Sequence, residues 1–382
     1  MLDGHFVFSQ LMSFLPRRDC NACVARYGGN RRDQFLCMAF AQLTFRESLR
    51  DIATCLQAMG SKLYHAGFRG RIARSTLADA NRSHDWRIYA DFAQVLIRRA
   101  RKLYANESLA VDLEQTVYAL DATTIDLCLN LFPWAKCRRR KGAVKLHTLL
   151  DLRGNIPCFI HVSHGKMHDV TALDYLPIEP GAFYIMDRGY VDFARLHRFT
   201  TVAAFFVVRA KCKLDYTRRA RRQIDRSTGL RSDPTIVLAG PKSSRLYPGP
   251  LRRIAFYDAE RKRRFVFLTN NFALPALVIA QLYKCRWQVE LFFKWIKQHL
   301  RIKAFYGTSD NAVKTQVWIA ISVYVLVAII KKELRLERSL YEILQVLSLT
   351  LFEKTPLNQA LAGEKTPFSE PSSPNQLSLF DL

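Results

Sequence analysis

Three acidic residues stand where chemistry could be done. Asp121 follows the apolar run 117–120, and Asp187 follows the apolar run 183–186. Each is an acid at the end of a strand-like segment, the place where open α/β sheets build their sites. Glu290 lies in a segment of helical pattern running from Tyr283 to Lys297. On one continuous helix, Tyr283 and Lys297 would fall about 20° from Glu290, and Arg286 and Lys294 about 40°. Val289, Phe292, Ile296 and Leu300 would form a buried stripe roughly 100–160° away. The pieces also have ordinary readings. Asp is a common turn or cap residue after a strand, and Glu290 at helical spacing from Arg286 and Lys294 is a surface ion pair worth about 0.2–0.5 kcal/mol. The ion-pair reading does not explain the tyrosine on the polar stripe and gives no reason for the two strand-end aspartates. Three gathered carboxylates would supply the oxygen ligands that hard divalent ions take. Two such ions about 3.5–4 Å apart can activate a nucleophile and stabilise the leaving oxygen of a phosphodiester. Without cations the three acids would repel one another.

The elements that must position these acids are legible as changes of texture. Residues 1–110 read as helical. Apolar positions between Phe35 and Met59 recur at helical spacing, Ser48 is placed to cap a helix with Asp51 three residues on, and another helix is expected from Ser75. Arg69, Arg71 and Arg74 precede that second helix, so the region is read either as a helix-turn-helix-like DNA reader or as an ordinary bundle with a polar face. Residues 117–129, 145–152 and 156–163 are short apolar runs separated by turn signals such as Arg153-Gly154-Asn155, and predict three successive antiparallel strands. A helix from Asp169, a strand at 182–186, a helix near 191–199 and a strand at 203–208 follow, an α/β alternation. Residues 213–272 read as a β-rich insertion, with strands at 235–238, 253–257 and 264–268. Helices resume over 273–355, and the Pro/Ser/Gln-rich segment 356–382 reads as a disordered tail.

Composition narrows the partner. Lys and Arg total 58 against 33 Asp and Glu, a net charge of +25, and an excess of this size usually serves a polyanion. A membrane is disfavoured: the apolar run 317–330 has 14 residues, short of the roughly 20 a spanning helix needs, and reads as a core helix. No signal peptide is seen at the N-terminus, so a cytoplasmic protein is expected. The nine cysteines are scattered. Cys20 and Cys23 form the one close pair, and His164 and His168 lie four apart; neither pair has the further ligands a zinc site requires, and reduced thiols are expected.

The spacing Tyr-x2-Arg-x3-Glu-x6-Lys, at Tyr283, Arg286, Glu290 and Lys297, resembles the signature of the IS-four family of bacterial insertion-sequence transposases. Leu120-Asp-Ala-Thr-Thr124 resembles that family's first Asp motif, and Asp187-Arg188-Gly-Tyr190 its second. The resemblance spans roughly residues 111–355. It implies an α/β, RNase H-like catalytic core, in parts 111–212 and 273–355, interrupted by the β-rich insertion. It implies a catalytic, metal-binding triad of Asp121, Asp187 and Glu290 holding two Mg²⁺ or Mn²⁺ ions. Cleavage at transposon ends and strand transfer would follow, with a hairpin intermediate and a homodimer joining two ends. Tyr283, Arg286 and Lys297 would then contact phosphates, with Lys294 and Arg188 beside them.

Further basic segments are expected to track double-stranded DNA: Lys136, Arg138, Arg139, Arg140 and Lys141 in the first hairpin, and Arg218–Arg222 at the start of the insertion. The C-terminal Gln376, Leu377, Leu379 and Phe380 resemble the short peptide by which bacterial proteins engage the replication sliding clamp. The competing readings are an RNase H-like nuclease that cuts without joining, and a non-catalytic DNA-binding repressor derived from a transposase.

Overall fold

The computed structural model describes residues 5–28, 33–109, 111–138, 141–299 and 305–362. The clamp-like residues Gln376, Leu377, Leu379 and Phe380, and the basic pair Arg139 and Arg140, lie outside these residues, and the side chain of Arg138 is not described.

Eleven described strands form one mixed sheet: β1 (Val117–Leu127), β2 (Lys136–Arg138), β3 (Lys141–Asp151), β4 (Ile156–His164), β5 (Phe183–Met186), β6 (Phe205–Arg209), β7 (Tyr216–Arg221), β8 (Leu230–Ser232), β9 (Pro234–Leu238), β10 (Leu251–Asp258) and β11 (Arg263–Thr269). The expected antiparallel trio is β1, β3 and β4. Its β3–β4 corner depends on Gly154, whose φ of +76° is left-handed and whose Cβ, if it had one, would sit 2.1 Å from Tyr104 Cδ1. On the other side of β1, β5 and then β6 run parallel to it. Parallel strands covered on both faces read as unbroken apolar runs, and Phe-Tyr-Ile-Met of β5 is wholly buried.

Among the described residues seven helices precede the sheet: α1 (Val7–Ser13), α2 (Arg17–Arg26), α3 (Asp33–Leu43), α4 (Leu49–Ala58), α5 (Lys62–His65), α6 (Arg74–Ser83) and α7 (Arg87–Tyr104). Ser48 caps α4 by accepting from Asp51 N at 3.1 Å, as its position suggests. Two more, α8 (Phe193–Thr201) and α9 (Pro241–Leu246), accompany the strands. Five follow: α10 (Ala276–Lys284), α11 (Trp287–His299), α12 (Asp310–Glu333), α13 (Leu340–Thr350) and α14 (Leu357–Leu361). One sheet face packs under Leu196 and Phe199 of α8; the other packs under α10, α11 and α12.

The helix α12 passes the length and hydropathy test for a membrane span, yet 94% of its apolar window is buried inside the protein. Ser309 caps its start, and Lys331 and Lys332 suit its negative end.

Several elements differ from the sequence reading. The N-terminal helices share one hydrophobic core with α12, α13 and α14, and Val7 N and Phe8 N donate to Glu353 O and Leu351 O. The insertion strands extend the same sheet, because β11 pairs with β6. The arginine run 218–221 is itself an edge strand, β7, and the Gly/Pro/Ser stretch contains α9. The segment expected as a helix from Asp169 is a short 3-10 turn with His168 in the cap position, and Asp169 pairs with Lys145 at 2.9 Å. The stretch from 356, expected to be disordered, opens with α14, whose Leu357 and Leu361 are buried, and residues 363–382 lie outside the described residues.

Candidate active site

The sheet brings the acids together by register. Leu120 of β1 lies beside Met186 of β5 in the parallel pair. The next residues, Asp121 and Asp187, therefore stand at the same level, but only Asp187 follows the end of its strand: β1 runs on to Leu127, so Asp121, expected at a strand end, lies within the strand and pairs with Thr148 of β3. Along β1 side chains alternate, and Asp121 shares the face of Val117 and Ala119, the face covered by α11. That helix supplies Glu290 in its first turn.

Arg286 joins two of the three acids across the chain. Its Nη1 donates to Asp121 Oδ2 at 2.6 Å and its Nη2 donates to Glu290 Oε1. The guanidinium is largely buried, whereas the Glu290 side chain is 57% exposed. The second oxygen of Asp121, Oδ1, accepts from Ala122 N at 2.8 Å. Asp187 caps the short 3-10 turn Arg188–Tyr190, and its Oδ1 accepts from Gly189 N at 2.6 Å.

Burial is the largest influence on Asp121. It lifts the carboxyl to about 6, against the opposing pull of Arg286, and Asp187 and Glu290 add to the rise. Asp121 thus feels the charge of the other two acids. Arg286 is driven the other way. Burial alone would lower it, but Asp121, Tyr283 and Glu290 hold it above its ordinary value.

The expected single helix from Tyr283 to Lys297 is broken. The first helix, α10, ends at Lys284, α11 begins at Trp287, and the two residues between are tightened by i→i−3 bonds from Arg286 N to Tyr283 O and from Gln288 N to Cys285 O. Tyr283 therefore belongs to the preceding helix. It still reaches the site: its ring packs 4.6 Å from that of Phe267 and lies 5.9 Å beneath the Arg286 guanidinium. Burial raises its phenol, helped by Asp187 and opposed by Arg286. Lys297 donates to Thr124 O at 2.8 Å, which ties α11 to β1 beyond Asp121. Lys294 and Arg188 are exposed, as are Lys136 and Lys141 at the first hairpin.

Features of the site to which the sequence assigns no role surround the acids. Thr148 lies directly across from Asp121 on β3, and its buried hydroxyl has no hydrogen-bond partner among the described residues. The Tyr190 hydroxyl is likewise buried and unpartnered, and is raised by burial and then by Asp121, Asp169 and Asp187. A cleft of about 410 Å³ opens beside Glu290, between the β10–β11 hairpin and the α10–α11 junction. Its floor is aromatic and its rim basic: Arg209 and Arg263 lie 5.4 and 5.8 Å over the Phe265 ring, and Lys284 lies 5.7 Å over Phe256. Residues scattered over three strands and a helix end carry no short-range signal, although Arg209 ends β6 much as Asp187 follows the end of β5.

Among the described residues no three acidic, histidine or cysteine side chains converge closely enough to grip one ion. The chemistry of the donor set, three carboxylates on rigid elements, nevertheless fits a hard divalent cation. The guanidinium stands between two of those carboxylates.

Comparison with known proteins gives the arrangement a context. Residues 112–326, which include all three acids, match the family model described as a transposase DDE domain, and residues 3–69 match a domain of unknown function, DUF4372. A protein of Sinorhizobium fredii named as a transposase is 32% identical over 312 residues, 79% of this chain and 85% of that protein. A protein of Geobacillus stearothermophilus, named as a transposase for insertion sequence element IS5377, is 31% identical over 54% of each chain. One from Synechocystis, named as a transposase for element IS4SA, is 23% identical over 72% of this chain and 76% of its own. The piggyBac transposase in a synaptic complex with hairpin DNA superposes with a TM-score of 0.45 at 9% identity, covering 95% of this chain and 87% of that one.

Proposed function

Since this chain belongs to the transposase DDE-domain family, and is therefore an enzyme that breaks and joins DNA phosphodiesters, we propose that Asp121, Asp187 and Glu290 are its catalytic triad. The observation that carries this reading is the Arg286 bridge, which draws Asp121 and Glu290 to one guanidinium although 169 positions separate them in number. The register that sets Asp187 beside Asp121 supports the third member. The strand order β4-β3-β1-β5-β6, with the last two parallel to β1, supports an RNase H-like core, and the spacing of Tyr283, Arg286, Glu290 and Lys297 supports the IS-four branch.

In this mechanism Asp121, Asp187 and Glu290 would hold two Mg²⁺ or Mn²⁺ ions. When bound, such ions lower the pKa of the attacking water or hydroxyl and stabilise the departing oxygen. The chain's own residues do the rest. The strands β1 and β5 fix the two aspartates relative to each other, and α11 brings the glutamate over them. Lys297, Lys294, Arg188 and Tyr283 orient the phosphate backbone, and Arg286 offers it a bidentate partner. A freed 3′-hydroxyl then attacks either the opposite strand, giving a hairpin, or target DNA. A homodimer holds two ends, the N-terminal helices 1–110 help to bind the terminal repeats, and the tail bearing Gln376, Leu377, Leu379 and Phe380 engages the replication sliding clamp.

The test uses linear DNA carrying the sequences that flank the gene, incubated with the protein and Mg²⁺ or Mn²⁺. Nicks with 3′-hydroxyl ends, hairpins and strand-transfer products are expected. Asp121→Asn, Asp187→Asn and Glu290→Gln should each slow cutting by at least about 10³-fold while DNA binding persists, since each removes a charged ligand from the proposed ion site. Cutting retained by any one of them removes that residue from the triad. Cutting without strand transfer, even from a pre-cut end, would make the protein a nuclease.

A further inference from the structure

Two buried arginines in this protein grip carboxylates in different ways. Arg252 is fully used: Nε and Nη2 donate to the two oxygens of Asp233 at 2.7 and 2.6 Å, and Nη1 donates to two backbone carbonyls. Arg286 is not. It makes one bond to each of two separate carboxylates, its buried Nε has no partner among the described residues, and one of those carboxylates is more than half exposed. The first is a structural clamp. The second is a side chain resting at the end of α10, above the Tyr283 ring and at the edge of the basic cleft, with an unused donor.

We propose that Arg286 is an internal counter-ion that occupies the cation site until DNA draws it away, so that DNA and divalent metal bind cooperatively. The inference rests on the triad reading above. Its physical basis is competition for the same oxygens. While the guanidinium holds Asp121 Oδ2 and Glu290 Oε1, an ion must displace it and bear the cost of leaving it buried without a partner. A backbone phosphate entering from the cleft offers the planar fork a bidentate partner and can engage the idle Nε. Both carboxylates are then released together, and their repulsion favours cation entry. Because binding couplings are reciprocal, metal must tighten DNA binding by the same factor.

The test measures binding rather than turnover. Mn²⁺ affinity of the full chain is read by electron paramagnetic resonance, without DNA and with a duplex whose 3′ ends are dideoxy-terminated so that no hydroxyl can attack. The duplex should tighten Mn²⁺ binding at this site about 5- to 150-fold, the usual range of such couplings. Arg286→Gln should bind Mn²⁺ more tightly than wild type in the absence of DNA, and the duplex should then add little. Equal Mn²⁺ affinity of wild type with and without duplex overturns the proposal, and so does an Arg286→Gln protein that binds no more tightly than wild type. If that variant melts well below wild type, the wild-type comparison alone decides. Asp121→Asn reports separately on the premise: loss of the duplex-dependent Mn²⁺ site leaves the triad standing, whereas unchanged binding removes the triad and the counter-ion role with it.

Discussion

Removing Asp233 should be among the most damaging single changes in the insertion. Asp233 lies between β8 and β9, Arg252 is the second residue of β10, and both side chains are 3% exposed. Besides its two bonds to Asp233, Arg252 donates to Asn271 O at 3.4 Å and Leu274 O at 2.5 Å, in the segment that hands the chain to α10. Asp233→Ala leaves a buried guanidinium without its counter-ion, which costs about 3–5 kcal/mol, a large part of the roughly 5–15 kcal/mol that holds a domain together. The double variant Arg252→Met with Asp233→Leu removes both charges. Substituting apolar residues for a buried pair is often neutral, but here two buried carbonyls lose their donor, at about 1–3 kcal/mol. The double variant should therefore lie below wild type yet above the single one. Urea denaturation followed by circular dichroism gives all four corners of the cycle. Asp233→Ala costing under about 1 kcal/mol, or a double variant less stable than the single, would refute the view that this pair is desolvated and saturated. A second consequence concerns the site. The tethered segment sets where α10 starts, and the last turn of α10 carries Tyr283 and leads into the turn that bears Arg286. The double variant, compared at equal folded fraction, should cut DNA more slowly than wild type.

Two further outcomes follow from charge. Arg218, Arg219 and Arg221 are exposed on the edge strand β7. Replacing all three by Glu should weaken duplex binding irrespective of sequence and flatten the plot of log affinity against log salt by about 0.9 for each arginine that meets a phosphate. An unchanged slope in fluorescence anisotropy titrations would exclude β7 from the DNA path. The wholly buried His147, whose Nε2 lies 2.9 Å from Ser163 Oγ, is pushed down to about 4, mainly by burial, with His161 and Lys145 lowering it further and Asp169 raising it. Its folded value lies below the unfolded one, so it imposes no penalty above about pH 6.5. As pH falls from there towards 4 the unfolded chain binds the proton first, and stability drops by about 3 kcal/mol. His147→Asn should show a shallower fall in urea midpoint between pH 7 and 4.5; parallel falls would show that another group carries the acid sensitivity.

The legible parts of this fold were those whose signal is local. Strands β1, β3 and β4 alternate or run apolar between turn residues, β5 is a short continuous apolar run, and Ser48 marks a helix start three residues before Asp51. What escaped was non-local or masked by charge. Nothing in the arginines of β7 favours a strand except the pairing of Tyr216–Arg221 with β9, which is a tertiary contact. An all-round apolar helix such as α12 signals burial without saying against what, and its partners include α3 and α7 from the other end of the chain. The break at 285–286 was hidden because no Gly or Pro marks it, so a helical wheel drawn through it placed Tyr283 on a helix it does not share. That error did not move Tyr283 away from Arg286, since the tightened turn still stacks one over the other. The ordinary reading of the spacing, a Glu290–Arg286 ion pair, describes a contact that the structure contains. Helical spacing alone cannot reveal that the same guanidinium also holds Asp121, because that requires a strand 165 residues away. The ion pair and the proposed function are therefore not competing accounts of Arg286: the bond to Asp121 is what turns a surface pair into a contact that a metal ion would have to break.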